Sequence, residues 1–415
     1  MRILILLAIL LSGWLTALSA QALEIGGRVK FEEQGNNAGA DTPEAMLGHK
    51  VTSQTIAQLR LEASQTLDTW MFDAAWQLDG RHGSVVEKDR ALQESYPALT
   101  TAGSDFSYWD LDGSLVNDQR DELEQRIDRL SLTFTENNLV VRLGRQALTW
   151  GSGQVFHPMD LVNPFQPVAT DTAYKRGTDM AYLQWLFDSG ADVQLVVVPH
   201  KRRGSEDANA GKATQAVFGS IPGDTLQWNL LLANDRADTV FGLGVTGPVG
   251  EALWNLEVIP THLDGGGTKT SALMNLTYAG FWLQRNLSAY VELYHNGFGE
   301  SGSYTLAELN GALANRLERG QQFVTGRDYL SVGATWDWTP LIQLTPTMIF
   351  NLHDQSALFD AQISWSLSDE ITIKAGGRMP AGDQGTELGG LELAPETEMF
   401  LGQQRQWFIR GEVYF

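Results

Sequence analysis

Apolar and polar residues alternate with a period of two along most of this chain, and that alternation narrows its fold more than any other feature. Trp70, Phe72, Ala74, Trp76 and Leu78 interleave with Met71, Asp73, Ala75, Gln77 and Asp79. Leu130, Leu132 and Phe134 do the same with Arg129, Ser131, Thr133 and Thr135, and the run from Ala357 to Leu367 repeats it. A strand turns successive side chains to opposite faces, so each segment reads as a β-strand with one apolar and one polar face. Helical spacing is scarce: Tyr304 to Gln322, with Leu306, Leu309, Leu313 and Leu317, reads as a helix within a loop. After residue 22 no run approaches the eighteen apolar residues of a helical membrane span.

A soluble sandwich turns its apolar faces inward; a membrane barrel turns them outward and keeps the polar faces around a wet lumen. Three features favour the barrel. Trp70, Trp185, Trp254, Trp282, Trp336, Trp365 and Trp407 sit at or near strand ends, where an interfacial girdle wants an apolar ring with a polar N–H. Tight turns at 67–69, 136–138, 188–190 and 368–369 alternate with long connections at 81–125, 150–178, 297–326 and 380–404. The last strand ends in Val413, Tyr414 and Phe415, and closure removes the free edge it would otherwise present. The expected fold is all-β, a transmembrane antiparallel barrel of about 18 strands running from 24–33 to 405–415. Parity alone demands a strand at 213–221, with Pro222-Gly223-Asp224 as its turn; losing it and one other would give 16.

Met1-Arg2, the apolar run Ile3 to Leu18 and the box Ala20-Gln21-Ala22 read as a signal peptide over residues 1–22, leaving a single barrel domain over 23–415. Export together with no cysteine excludes disulfide, Cys-ligated metal and haem chemistry. A net charge of −21 argues against nucleic acid as a partner. Seven scattered histidines lack ligand spacing, so no metal and no cofactor is expected. Ser288 and His295 fall on opposite faces of one strand, so no catalytic residues are assigned and the chain is not read as an enzyme.

On the polar faces near the closure lie Arg28, Lys30, Arg60, Lys374, Arg378 and Arg410, with Arg129 and Arg142 further round. These eight read as pore-lining cations, interleaved with Glu24, Glu32, Glu62 and Glu412. They describe either a basic wall that draws anions or a salt-bridge lattice that stiffens the barrel. The loop after the fifth strand carries three prolines and the apolar anchors Met159, Leu161, Val162 and Phe165, so it should fold inward. Arg145, Asp160, Lys175, Arg176 and Asp179 are its candidate constriction charges; the other reading makes the loop a brace. Lys201-Arg202-Arg203 could pair with lipopolysaccharide phosphates, or be a solvated loop cluster.

The element Gly144-Arg145-Gln146…Trp150-Gly151, followed by Asp160-Leu161-Val162-Asn163-Pro164, resembles porin-like outer-membrane barrels of Gram-negative bacteria, the alginate-export-like families among them. That resemblance implies an outer-membrane location, lipid and lipopolysaccharide as surroundings, and a terminal phenylalanine read by the barrel-insertion machinery. The expected function is a porin-like channel for passive passage of a hydrophilic solute, anionic if the basic wall is free to act. The alternative is a non-conducting barrel that anchors a surface or periplasmic complex. The pattern sets no oligomeric state.

Overall fold

The computed structural model describes residues 23–96, 108–167, 169–201, 211–402 and 404–415. The signal segment, and with it Arg202 and Arg203, lies outside the described residues. The wall begins with β1 (Glu24–Asn37), β2 (Val51–Leu67) and β3 (Trp70–Gly83). A short outer strand, β4 (Asp112–Asn117), pairs only with β5 (Asp121–Glu136). The wall continues through β6 (Leu139–Gln146), β7 (Thr178–Leu186), β8 (Asp192–Val198), β9 (Thr214–Pro222) and β10 (Gln227–Asp235). Then come β11 (Asp238–Val249), β12 (Ala252–His262), β13 (Thr268–Trp282), β14 (Arg285–His295) and β15 (Asp328–Thr339). It ends with β16 (Ile342–Asn351), β17 (Ala357–Ser366), β18 (Ile371–Ala381), the two-residue pair β19 (Leu391–Glu392) and β20 (Phe400–Leu401) in a loop, and β21 (Arg405–Tyr414). Every neighbour in the wall is antiparallel, and β1 pairs with β21, so 18 strands close into a barrel.

Alternation sets the direction of each side chain. On β1, Ile25, Val29 and Phe31 point outward, and Phe31 is 61% exposed. Arg28, Lys30 and Glu32 point inward and are buried. A band of exposed Leu, Val, Ile and Phe covers the outside of the barrel, which in water would be an intolerable patch and in lipid is the required surface. At the end with short turns the band finishes in indoles, among them Trp70 packed on Phe134 at 4.8 Å and Trp282 on Trp336 at 4.9 Å. Short turns mark the periplasmic end, so the long loops are external.

The strand demanded by parity is present as β9, with Ala216 and Phe218 inward and Val217 and Ile221 outward. Other boundaries move. The turn between β13 and β14 lies at Leu283-Gln284, both with positive φ (50° and 62°), the geometry that suits the twist of a two-residue hairpin. The connection 81–125 is shorter than expected, because β3 and β5 extend into it and a helix, Ser84–Ser95, follows β3 at once. The loop helix in 304–322 covers Gly311–Glu318, capped by the Asn310 side chain accepting from Leu313 N.

Candidate functional site: a loop-crossed channel

The inside of the barrel has two unlike halves. Over β7–β17 the inner wall is largely apolar at its outer end, and residues 150–162 of the loop between β6 and β7 pack onto it. Trp150, Met159, Leu161 and Val162 join Val196, Val198, Phe218, Leu231, Val240 and Ile259 in one buried cluster. Val155 and Phe156 join Leu273, Tyr294, Tyr329, Ile349 and Leu358 in another. Phe156 stacks on Tyr294 at 4.5 Å, and Trp150 stacks on Phe218 at 5.3 Å while donating from Nε1 to Gln194. Apolar anchors bring the loop inward because water would charge heavily for leaving them outside.

The loop then crosses the lumen to β1, β2 and β21. Asp171 meets Arg28 at 3.1 Å and Lys30 at 2.9 Å. Burial pushes the Asp171 carboxyl up, but Lys30 and Arg28 outweigh it and hold the group well below the usual carboxylate range. Tyr174 lies beneath two guanidiniums, 4.1 Å from Arg60 and 4.9 Å from Arg28; burial and nearby Glu62 raise its phenol. Arg410 donates to the Thr170 carbonyl at 3.0 Å.

This crossing divides the eight cations expected on the inner wall. All point inward. Arg28, Lys30, Arg60 and Arg410 are buried and paired: Arg28 with Glu412 at 3.3 Å besides Asp171, Arg60 with Asp128 at 2.7 Å and Glu62 at 2.6 Å, Arg410 with Glu32 at 2.6 Å. Lys374, Arg378, Arg129 and Arg142 stay partly exposed. Lys374 pairs with Glu412 at 2.8 Å, Arg378 with Asp360 at 3.3 Å and Arg129 with Asp128 at 2.7 Å. Arg142 donates to Thr133 Oγ1 at 2.9 Å.

The five loop charges mostly pair with one another. Arg145 grips Asp179 with two bonds of 2.9 and 3.0 Å at the root of the loop, and Trp109 N donates to the same carboxylate. Lys175 closes the loop on itself through Asp160, Thr149 Oγ1 and the Leu148 carbonyl. Arg176 reaches outward to Asp112 at 2.7 Å, and of the five it is the one that is not buried. The loop groups that face open lumen are instead Thr172 and Ala173, both exposed, with Thr170 beside them. Sequence reasoning passed over these small residues because nothing in their chemistry advertises a role. It also passed over Glu257 and Glu292, which hold the loop to the apolar half; two glutamates on inward positions among Ile259, Leu273 and Tyr294 were the available signal. Lys201 lies over the Tyr108 ring at 5.5 Å.

Among the described residues, two open spaces flank the loop. One, about 260 Å³, lies between the loop residues 169–173 and the inner faces of β16–β18, with Thr345, Thr347, Asp360, Gln362 and Lys374 on the wall. The other, about 650 Å³, lies toward the periplasmic end between β1, β2, β3, β5 and β6, where Arg129, Arg142, Asp73, Glu24 and Glu62 face it. Both linings are rich in charged and hydroxyl groups. Among the described residues no cluster of three or more His, Asp or Glu could hold a metal ion.

No family profile matches the sequence, and no curated protein resembles it significantly. Solved structures do. Pseudomonas aeruginosa OccK5 (OpdH) aligns over 94% of this chain and 98% of its own, with 10% identity and a TM-score of 0.55. Acinetobacter baumannii OccAB2 aligns over 95% and 98%, at 9% identity and 0.56, and a BenF-like porin from Pseudomonas fluorescens Pf-5 over 95% and 99%, at 9% and 0.54. Likeness at such identities concerns the fold. With its lipid-facing band and wet interior, the chain has the fold of these outer-membrane porins, a closed 18-strand β-barrel whose lumen is crossed by its own loop.

Proposed function

We propose that the protein is a passive channel for a small hydrophilic solute, with anions favoured along its open side. One observation carries this reading: open space remains on either side of the loop, and the partly exposed cations Lys374, Arg129 and Arg142 face it, Arg129 while also donating to the loop's Lys175 carbonyl. Four other cations are held under the loop by carboxylates, so the basic wall divides into a structural set and an accessible set. Arg142 matters most. Its one side-chain hydrogen bond among the described residues goes to a neutral hydroxyl, and although Asp73 faces the same space no ion pair there ties Arg142 down, so its charge is open to a solute. The BenF-like and Occ porins that share the fold support passage through such a barrel.

Planar-bilayer recording tests it. The wild-type protein should conduct, with a reversal potential on the anion side. Replacing Arg129 and Arg142 together by Gln should move that potential toward cations while conductance persists. Cation preference in the wild type would overturn the charge assignment. Absence of current, together with a co-purifying partner, would overturn the channel and favour an anchoring barrel.

A further inference from the structure

The inward loop is fastened at two places of opposite polarity. Near β1 the loop supplies the anion, Asp171, and the wall supplies Arg28 and Lys30. On the far wall the roles reverse. Glu292 of β14 accepts from the backbone N–H groups of Gln154 at 2.6 Å, Val155 at 3.0 Å and Phe156 at 3.0 Å, and from Asn275 Nδ2 at 3.2 Å. Each carboxylate oxygen takes two donors. Four donors on about four lone-pair sites saturate a carboxylate, and no neutral side chain of that shape could accept them all. Two strands away, Glu257 of β12 accepts from Ser152 N, and between them Asn275 donates to the Ser152 carbonyl at 2.9 Å. Glu257 and Glu292 are at most 1% exposed, and neither forms an ion pair among the described residues. Glu257 Oε2 has no hydrogen-bond partner among the described residues. Two buried carboxylates spent on loop backbone are costly for a wall that only needs to be stable.

We propose that Glu292 and Glu257 are positioning residues that set the aperture of the channel. By pinning 152–156 to β12–β14 they hold the far end of the same loop, residues 169–173, at its distance from β16–β18. Neither glutamate lines that opening. The inference rests on the channel reading above, but its test differs.

The test compares Glu292→Gln and Glu257→Gln with Asp171→Asn, using liposome swelling with graded neutral solutes and single-channel recording. A glutamine at 292 turns an amide N–H toward donors, so it loosens the clasp while changing no lumen-facing charge. Both glutamine variants should admit larger solutes and show noisier current, with an unchanged reversal potential. Asp171→Asn should also loosen the loop, but it unmasks Arg28 and Lys30 and so shifts the reversal potential toward anions. The chain has no cysteine, which allows a staple. Ser152→Cys with Asn275→Cys on the Glu292→Gln background should restore the wild-type size limit when oxidised and lose it when reduced. The inference is overturned if Glu292→Gln and Glu257→Gln, folded as judged by heat-modifiable gel mobility, keep the wild-type size limit and noise. It is equally overturned if Glu292→Gln shifts the reversal potential as Asp171→Asn does, since Glu292 would then act as a pore charge. A wild-type protein without conductance fails the channel reading first, and the inference with it.

Discussion

Arg60 is 1% exposed and binds two carboxylates, Asp128 and Glu62, with Tyr174 across its face. Replacing it by Met leaves Asp128 buried with Arg129 as its one remaining ion-pair partner among the described residues. Arg60→Met should therefore cost about 3 kcal/mol, the low end for a broken buried pair, measured by urea unfolding in detergent micelles. His200 makes a second residue-scale prediction. Burial, then the Arg236 charge, lowers its imidazole to about 4, and its Nε2 meets Thr214 Oγ1 at 2.8 Å. The folded state thus prefers the neutral ring, so this contribution is whole above the ordinary 6.5 and is lost as pH falls through about 4. Unfolding titrated from pH 7 to 4 should show that loss, and His200→Asn should flatten it. At this scale the sequence was partly legible. Unbroken alternation on β1 and β2 put Arg28, Lys30 and Arg60 on the inner face. Their wall partners Glu62 and Glu412 were legible on the same faces, but Asp171 and Tyr174 were not, because they arrive from more than a hundred residues away. Asp128 was hidden by a bulge opposite Ala75 and Trp76, which turns it inward beside Arg129.

Among the elements, the loop between β6 and β7 decides most. Its inward fold was readable from its prolines and apolar anchors, since a segment with Met159, Leu161 and Val162 must find a dry surface. Which wall it would seal was not, because that depends on the apolar inner residues of strands far along the chain. Gly151 shows how closely it fits. Its φ is 93°, and a Cβ there would lie 3.0 Å from a Glu257 carboxylate oxygen and 3.2 Å from Met159 Cβ. Gly151→Val should cost about 1–3 kcal/mol through the strained backbone, and it should admit larger solutes as Glu257→Gln does, read by the same swelling assay. Hairpins were legible as tight turns but not to the residue. Leu283 and Gln284 adopt positive φ without glycine, so the register of β13 and β14 overrode local preference.

At the scale of the molecule, fold class and strand number were legible because period two, indole placement and turn asymmetry all agree. Closure is the feature that makes them one object. Phe415 exchanges two backbone hydrogen bonds with Gly27, at 2.9 and 3.1 Å, and β21 runs in register along β1 from Arg28 to Asn37. Removing Arg405 to Phe415 should leave unpaired edges on β1 and β18 and abolish the heat-modifiable gel shift that marks a closed barrel. The same global view explains why a chain with 50 acidic and 29 basic residues can still present cations inside: many carboxylates are engaged beneath the loop or stand in the external connections.

Because the dry end of the interior runs over β7–β17 while the open spaces lie on β16–β18 and on β1–β3, β5 and β6, transport and scaffolding share only two strands, β16 and β17. A solute entering beside the loop tip would graze β16, β17 and β18 there, and Arg129 and Arg142 in the wider space toward the periplasm. Changing what such a pore accepts would then require rewriting a handful of inward threonines and charges on those three staves and the two arginines opposite. The remaining staves, with the loop glued to them, could keep the vessel upright undisturbed.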